Sequence, residues 1–187
     1  MITVLIVGLV VALGLPKLGT VSRDNRVTVA ASDLQNAFKL ARSEAIRARN
    51  TITLCASDNA MVEDADCRGS WDDGYIVFND IDGNLVRAGD EETLIQVQPE
   101  LAESIRLAVE NNARYFSFSA NGTGRGDVDG RHAVSRIIVC DARGLDETSQ
   151  GKSSGELLVV TPLGYMTSTR DHDIVSGALR HMKGGCG

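Results

Sequence analysis

Three prolines in 187 residues, and nineteen glycines that follow no period, exclude a collagen-like or low-complexity chain. Positive charge is also scarce: nineteen Lys and Arg face twenty-five Asp and Glu, for a net charge of -6. A chain that holds nucleic acid over its whole surface needs dense positive charge, so that class is excluded. No C-x-x-C pair occurs among the four cysteines, which removes the main support for zinc-ribbon and thioredoxin-like readings. Neither a P-loop nor H-E-x-x-H appears, and no nucleophile elbow is read in the chain. What remains, at 43% hydrophobic and 24% charged, has the composition of one ordinary globular domain.

The charge is unevenly placed. Residues 1–50 carry seven Lys and Arg against three acids, whereas residues 57–110 carry fourteen acids against three bases. A basic stem under an acidic head describes the chain. Cys55, Cys67, Cys140 and Cys186 are even in number and widely spaced, which suits two disulfides in an oxidising compartment. Of the three possible pairings, Cys55–Cys67 with Cys140–Cys186 is preferred. The first would close one polar loop, and the second would tether the tail.

No charge interrupts the run from Met1 to Pro16, yet it is shorter than the ~20 residues that span a bilayer core. A secretory signal would need a positive n-region, and none precedes it. A buried soluble helix would need protein on every side. We read the run as the membrane part of a helix, residues 1–22, whose first residues precede the sequence given. Gly14 and Pro16 are expected to kink it near the Lys17 interface. From residue 23 the pattern turns amphipathic: Val27, Ala30, Ala31, Leu34, Ala37, Phe38, Ala41, Ala45 and Ile46 form a stripe at helical spacing. Arg23, Arg26, Gln35, Lys39, Arg42 and Arg49 are expected on the solvated face. Ser22 or Asp24 would cap a restart after the kink, and the stem, residues 23–50, should end near Asn50.

Residues 51–187 read as a β-rich head. Strands are expected at Thr51–Cys55, Gly74–Phe78, Leu94–Gln98, Ile105–Val109, Tyr115–Phe118, Val134–Cys140, Leu157–Thr161 and Tyr165–Thr169. Leu145–Glu156 reads as a mobile loop, and no helical stripe is found after residue 50. The fold class is therefore α+β, a long helix (membrane anchor plus stem) packed on an antiparallel sheet or sandwich. Leu34, Phe38, Ala41 and Ala45 are the residues expected to pack stem on head.

Ala41-Arg42-Ser43-Glu44-Ala45-Ile46, then Thr53-Leu54-Cys55, then Trp71 with Gly74-Tyr75-Ile76-Val77-Phe78-Asn79-Asp80, resemble the GspH/FimT family of type IV minor pilins and pseudopilins. Residues 1–85 carry the resemblance best, and the helix proline shares in it. It implies a basic leader, removed by a prepilin peptidase, and a few first mature residues upstream of Met1. It also implies storage in inner-membrane lipid with a periplasmic head, and later incorporation into a filament beside other minor pilins and the major pilin. The implied function is structural, priming a type IV pilus at or near its tip, with no enzyme activity, cofactor or metal. The same plan serves a GspH-like pseudopilin of type II secretion, or a DNA-uptake minor pilin. In the DNA-uptake members a Gly-Arg-x-Arg follows the penultimate strand, and here Gly164-Tyr165-Met166-Thr167 stands in that place. Arg170, Arg180 and Lys183 of the tail are the residues left for phosphate contacts.

Other motifs read as turns. Asp80-Ile81-Asp82-Gly83-Asn84 is one residue short of an EF-hand loop and is taken as a hairpin turn, with the acids Asp90, Glu91 and Glu92 nearby left as a place for a weak cation. Arg125-Gly126-Asp127 and Asn121-Gly122-Thr123 lie in a glycine-rich loop. A hydrolase would have to use His132, His172 or His181 with a Ser or Cys nucleophile.

Overall fold

The computed structural model describes residues 2–148 and 150–186, with side chains from Ser22 onward except those of Asp90, Lys183 and Gly184. Helix α1 runs from Ile2 to Ala48 as one element. It passes through Gly14 and Pro16 without a restart, so no N-cap is required at Ser22 or Asp24. The side chains of residues 1–21, nearly all of the expected membrane part, lie outside the described residues. Among the described residues no helix is long and apolar enough to cross a membrane.

Among the described residues nine strands follow, in two antiparallel sheets. The first holds β1 (Ile52–Ala56), β2 (Tyr75–Asn79), β3 (Leu94–Gln98) and β5 (Tyr115–Phe118), in the order β3-β2-β1-β5. The second holds β4 (Ile105–Glu110), β6 (Arg136–Asp141), β7 (Lys152–Val160), β8 (Met166–Asp171) and β9 (Met182–Gly184), in the order β8-β7-β6-β4-β9. A short helix α2, His172–Leu179, lies between β8 and β9.

Strand alternation explains the layering. Ile52, Leu54 and Ala56 join Val77, Phe116, Phe118, Leu107, Ile137, Val139 and Leu158 in one core, and α1 adds Val27, Ala31, Leu34, Ala37, Phe38, Ala41 and Ala45 to it. The helix stripe thus belongs to the core shared by both sheets. On the opposite face of the first sheet, Cys55, Ile76, Phe78 and Tyr115 meet Ala60, Ala65 and Leu85 from the loops. On the opposite face of the second, Ala108, Ile138, Cys140 and Leu157 meet Val175 of α2 and Cys186 of the tail. Each outer face therefore carries its own cover, and each cover is pinned by a disulfide: Cys55–Cys67 and Cys140–Cys186.

Several expectations need correction. The Leu145–Glu156 loop is partly strand: β7 begins at Lys152, and Ser153, Ser154 and Glu156 are buried. Its polar residues fit because Ser154 Oγ donates to the Gly144 carbonyl at 3.0 Å and a register shift interrupts the ladder between Lys152 and Leu157. Helix α2 went unread because eight residues with one buried side chain, Val175, make no stripe; Asp171 caps it, accepting from the Ile174 N–H at 3.2 Å. Strand β9 was also unread. Finally, Ile46, placed on the stripe, is half exposed.

Lys39 is exposed beside the buried Phe38. Lys39→Ala should change stability by less than about 0.5 kcal/mol, as read by denaturant unfolding of the full chain in detergent.

Candidate assembly surface

Beyond the apolar stripe, three arginines fix the head on the stem. Arg42 is half-buried, not solvated as its place in the pattern suggested. Its Nε donates to the Gly122 carbonyl at 2.9 Å, and its guanidinium lies 4.0 Å over the Tyr165 ring. Gly122 sits at φ +78°, a left-handed conformation that favours glycine, and a Cβ there would stand 2.6 Å from Ile46 Cδ1. The Asn121-Gly122-Thr123 turn is thus a landing place for the stem.

Arg143 joins β6 to the helix. It reaches Asp141 through Nε and Nη2, at 3.0 and 2.7 Å, and Asp24 of α1 at 2.8 Å. Burial pushes the Asp141 carboxyl up, but the Arg143 side chain and backbone N–H more than offset this and hold it below the usual carboxylate range. Arg143 is held above its own usual value, chiefly by the same hydrogen bonds. Arg170 makes the third link: Nε donates to Glu156 at 3.1 Å, and Nη2 to Thr28 Oγ1 of α1 at 3.1 Å.

Arg143→Ala should therefore lower stability by about 3 kcal/mol at neutral pH, because it strips the partner from a buried carboxylate. A carboxyl with a depressed folded pKa contributes stability above its unfolded value and loses it as pH falls through the folded one. The gap between variant and native chain should narrow on acidification, and urea titrations at neutral pH and near pH 3 measure it.

The candidate tail bases separate in space and role. Arg170 is spent on the stem. Arg180 is exposed and ends α2. The Lys183 side chain lies outside the described residues. Gly164, at φ +76°, turns the chain so that Tyr165 meets Arg42. The RGD tripeptide is also engaged: Arg125 Nη1 donates to the Gly83 carbonyl at 2.9 Å, and Asp127 is held by His132 and by the Ala133 N–H, both at 2.9 Å.

Gly151-Lys152-Ser153-Ser154-Gly155 fits the letters G-x-S-x-G, which the sequence reading passed over. It opens a strand and makes no strand-to-helix turn. Ser153 is buried, with its hydroxyl accepting from the Gly155 N–H at 3.0 Å. All four cysteines are in disulfides. Of the groups a hydrolase reading needs, the cysteines, Ser153 and His132 are thus engaged in structure.

Sequence reasoning missed the Arg143–Asp24 and Arg170–Thr28 links. A weak signal existed: Asp24 and Thr28 are four residues apart, hence on one helix face.

A long helix whose stripe enters the core shared by two antiparallel sheets is the plan of a pilin-type subunit. The family described as "Type II transport protein GspH" matches residues 30–164, more than half of the chain. The chain belongs to this GspH/FimT family of type IV minor pilins and pseudopilins, a structural family rather than an enzyme class. Two crystal structures of the type IV minor pilin FimU from Pseudomonas aeruginosa, strain PAO1, are similar to it. The form in space group P21 is 18% identical with a TM-score of 0.49, covering 76% of this chain and 87% of that one. The form in P65 is 18% identical with a TM-score of 0.47, covering 75% and 90%. No curated protein matches the chain.

Proposed function

We propose that this chain is a minor pilin that primes assembly of a type IV pilus and resides at or near its tip, beside other minor pilins and the major pilin. Before assembly its N-terminal helix is held in inner-membrane lipid with the head in the periplasm, after a prepilin peptidase has shortened the precursor. The observation that carries this reading is the fusion of stem and head. The stripe from Val27 to Ala45 is buried in the common core, and Arg42, Arg143 and Arg170 bind the helix to the head from three positions. Helix and head then move as one body, which a filament subunit needs if its helix position is to dictate its head position.

The test is deletion of the gene, with piliation, protein secretion and transformation scored separately. Loss of piliation supports the proposal. Loss of secretion alone supports the alternative, a GspH-like pseudopilin, which the family's description favours. DNA capture is the weaker reading, because Arg170 is already paired with Glu156. A gel shift with the full chain in detergent at two salt concentrations decides it: a phosphate-binding tail gives retention that falls steeply with salt.

A further inference from the structure

We propose that Asp80, Asp82 and Glu92 form a calcium site that pins the β2–β3 connection. One carboxylate oxygen from each lies within 4.8 Å of the other two. Calcium takes oxygen ligands at roughly 2.3–2.6 Å, so ligands on opposite sides of one ion stand about that far apart. An acidic cluster alone would say little, since exposed carboxylates gather on many surfaces. Here Asp80 and Glu92 are buried, and only Asp82 is exposed.

The independent observation is an orphaned oxygen. Asp80 Oδ2 accepts from Thr53 Oγ1 at 2.6 Å and from the Leu85 N–H at 3.3 Å. Its Oδ1 is fully buried and meets no donor. A buried ionised oxygen without a partner costs several kcal/mol, so a cation, a proton or a buried water belongs there, and three carboxylates converging on one point favour the cation. Among the described residues, no Lys, Arg or His forms an ion pair with any of the three carboxylates. The neighbouring arginines bind backbone instead: Arg87 the Glu92 carbonyl at 2.8 Å, Arg125 the Gly83 carbonyl at 2.9 Å, and Arg131 the Asn84 carbonyl at 3.1 Å.

Glu92 is already oriented, accepting from the Ile81 N–H through Oε1 and from the Ala88 N–H through Oε2, each at 2.8 Å. Both donors belong to the connection itself, so a cation held by Glu92 and Asp80 ties the loop to the end of β2. Oxygen-only ligands select a hard cation, and a site open on the Asp82 side leaves room for the waters that complete calcium's shell. The three arginines nearby weaken the attraction. The expected Kd is therefore on the order of 10⁻⁴–10⁻³ M, the range of extracellular calcium modules.

The test uses the full chain in detergent, stripped with EDTA and titrated with calcium chloride to about 10 mM, above the weak end of that range. Calorimetry should give one saturable site, and Tm should rise by about 3–10 °C at about 10 mM calcium across that range of Kd. Asp82→Ala, a change at an exposed side chain, should keep the EDTA-state Tm and bind calcium at least about tenfold more weakly. Three outcomes overturn the proposal: a Tm unmoved by calcium, an equal rise in Asp82→Ala, or an equal rise with magnesium chloride. If Asp80→Asn raises Tm in EDTA and calcium leaves the native chain unmoved, the carboxylates share a proton and the site holds no ion.

Discussion

Phe38→Ala should destabilise the full chain by about 3–5 kcal/mol, a large share of what holds any single domain. The ring is 2% exposed, on the stem, yet its partners are on the head: centroids lie 5.3 Å from Phe116 and 6.3 Å from Phe118. Those two rings are themselves 4.8 Å apart, nearly edge to face. Truncation to alanine removes the third member of an aromatic cluster and leaves a cavity between helix and sheet that neither element can close alone. The loss should appear as a lower denaturation midpoint with stem and head still melting in one transition. A cost below about 1 kcal/mol would mean that the stripe is not core. Two separate transitions would mean that the helix merely leans on the head.

That prediction is legible in the sequence because helix burial repeats every three or four residues. Seven of the nine stripe residues are buried, and the exceptions follow from what covers them. Ala30 is partly buried, and Ile46, near the end of the stem, is half exposed with Gly122 close to its Cδ1. Strands were legible where β-branched and aromatic residues alternate, as in Ile52–Ala56 and Tyr115–Phe118. They were hidden where polar residues are satisfied by distant partners. Ser153 and Ser154 read as loop because nothing local reveals that Leu145 and Gly144 will accept from their hydroxyls.

The arginine links fail to show for the same reason. Arg42 lies 80 residues from Gly122, and Arg170 lies 142 from Thr28. Periodicity records which face a residue occupies, not which remote carbonyl will turn to meet it. Half-burial of Arg42 is a tertiary fact laid over a helical pattern that places it among solvated neighbours.

The disulfide between Cys140 and Cys186 is the second feature whose removal should be large, and it changes how assembly and DNA capture are told apart. The bond spans 46 residues, from β6 to the tail. In the chain-entropy account, opening it releases about 4 kcal/mol of constraint from the unfolded state. Cys140→Ser with Cys186→Ser, made together so that no lone thiol remains, should cost about that much. The loss should centre on the outer face of the second sheet, where Cys186 closes over Ile138 and Leu157 and packs with Val175. Strand β9, which pairs only with β4, has no other covalent hold. Hydrogen exchange should therefore speed up first in β9 and α2 and leave β1 and β2 protected.

If the tail is a docking edge, the same double variant should reduce incorporation into the filament while the membrane pool persists. Removing charge from the tail is the natural contrast, but Arg170 cannot be included. Its guanidinium holds Glu156 and Thr28 and so fixes stem to head. An Arg170 variant would impair piliation for reasons unrelated to phosphate. The informative charge variant is Arg180→Ala with Lys183→Ala, which leaves the three links intact. Assembly through a shaped tail predicts that this variant piliates normally while the serine pair does not. DNA capture predicts normal piliation in both, with transformation lost in the charge variant alone. The first pattern is expected, because a tail pinned by a disulfide and a paired arginine has been given a fixed surface, and fixed surfaces serve a neighbour of defined shape better than a flexible polyanion.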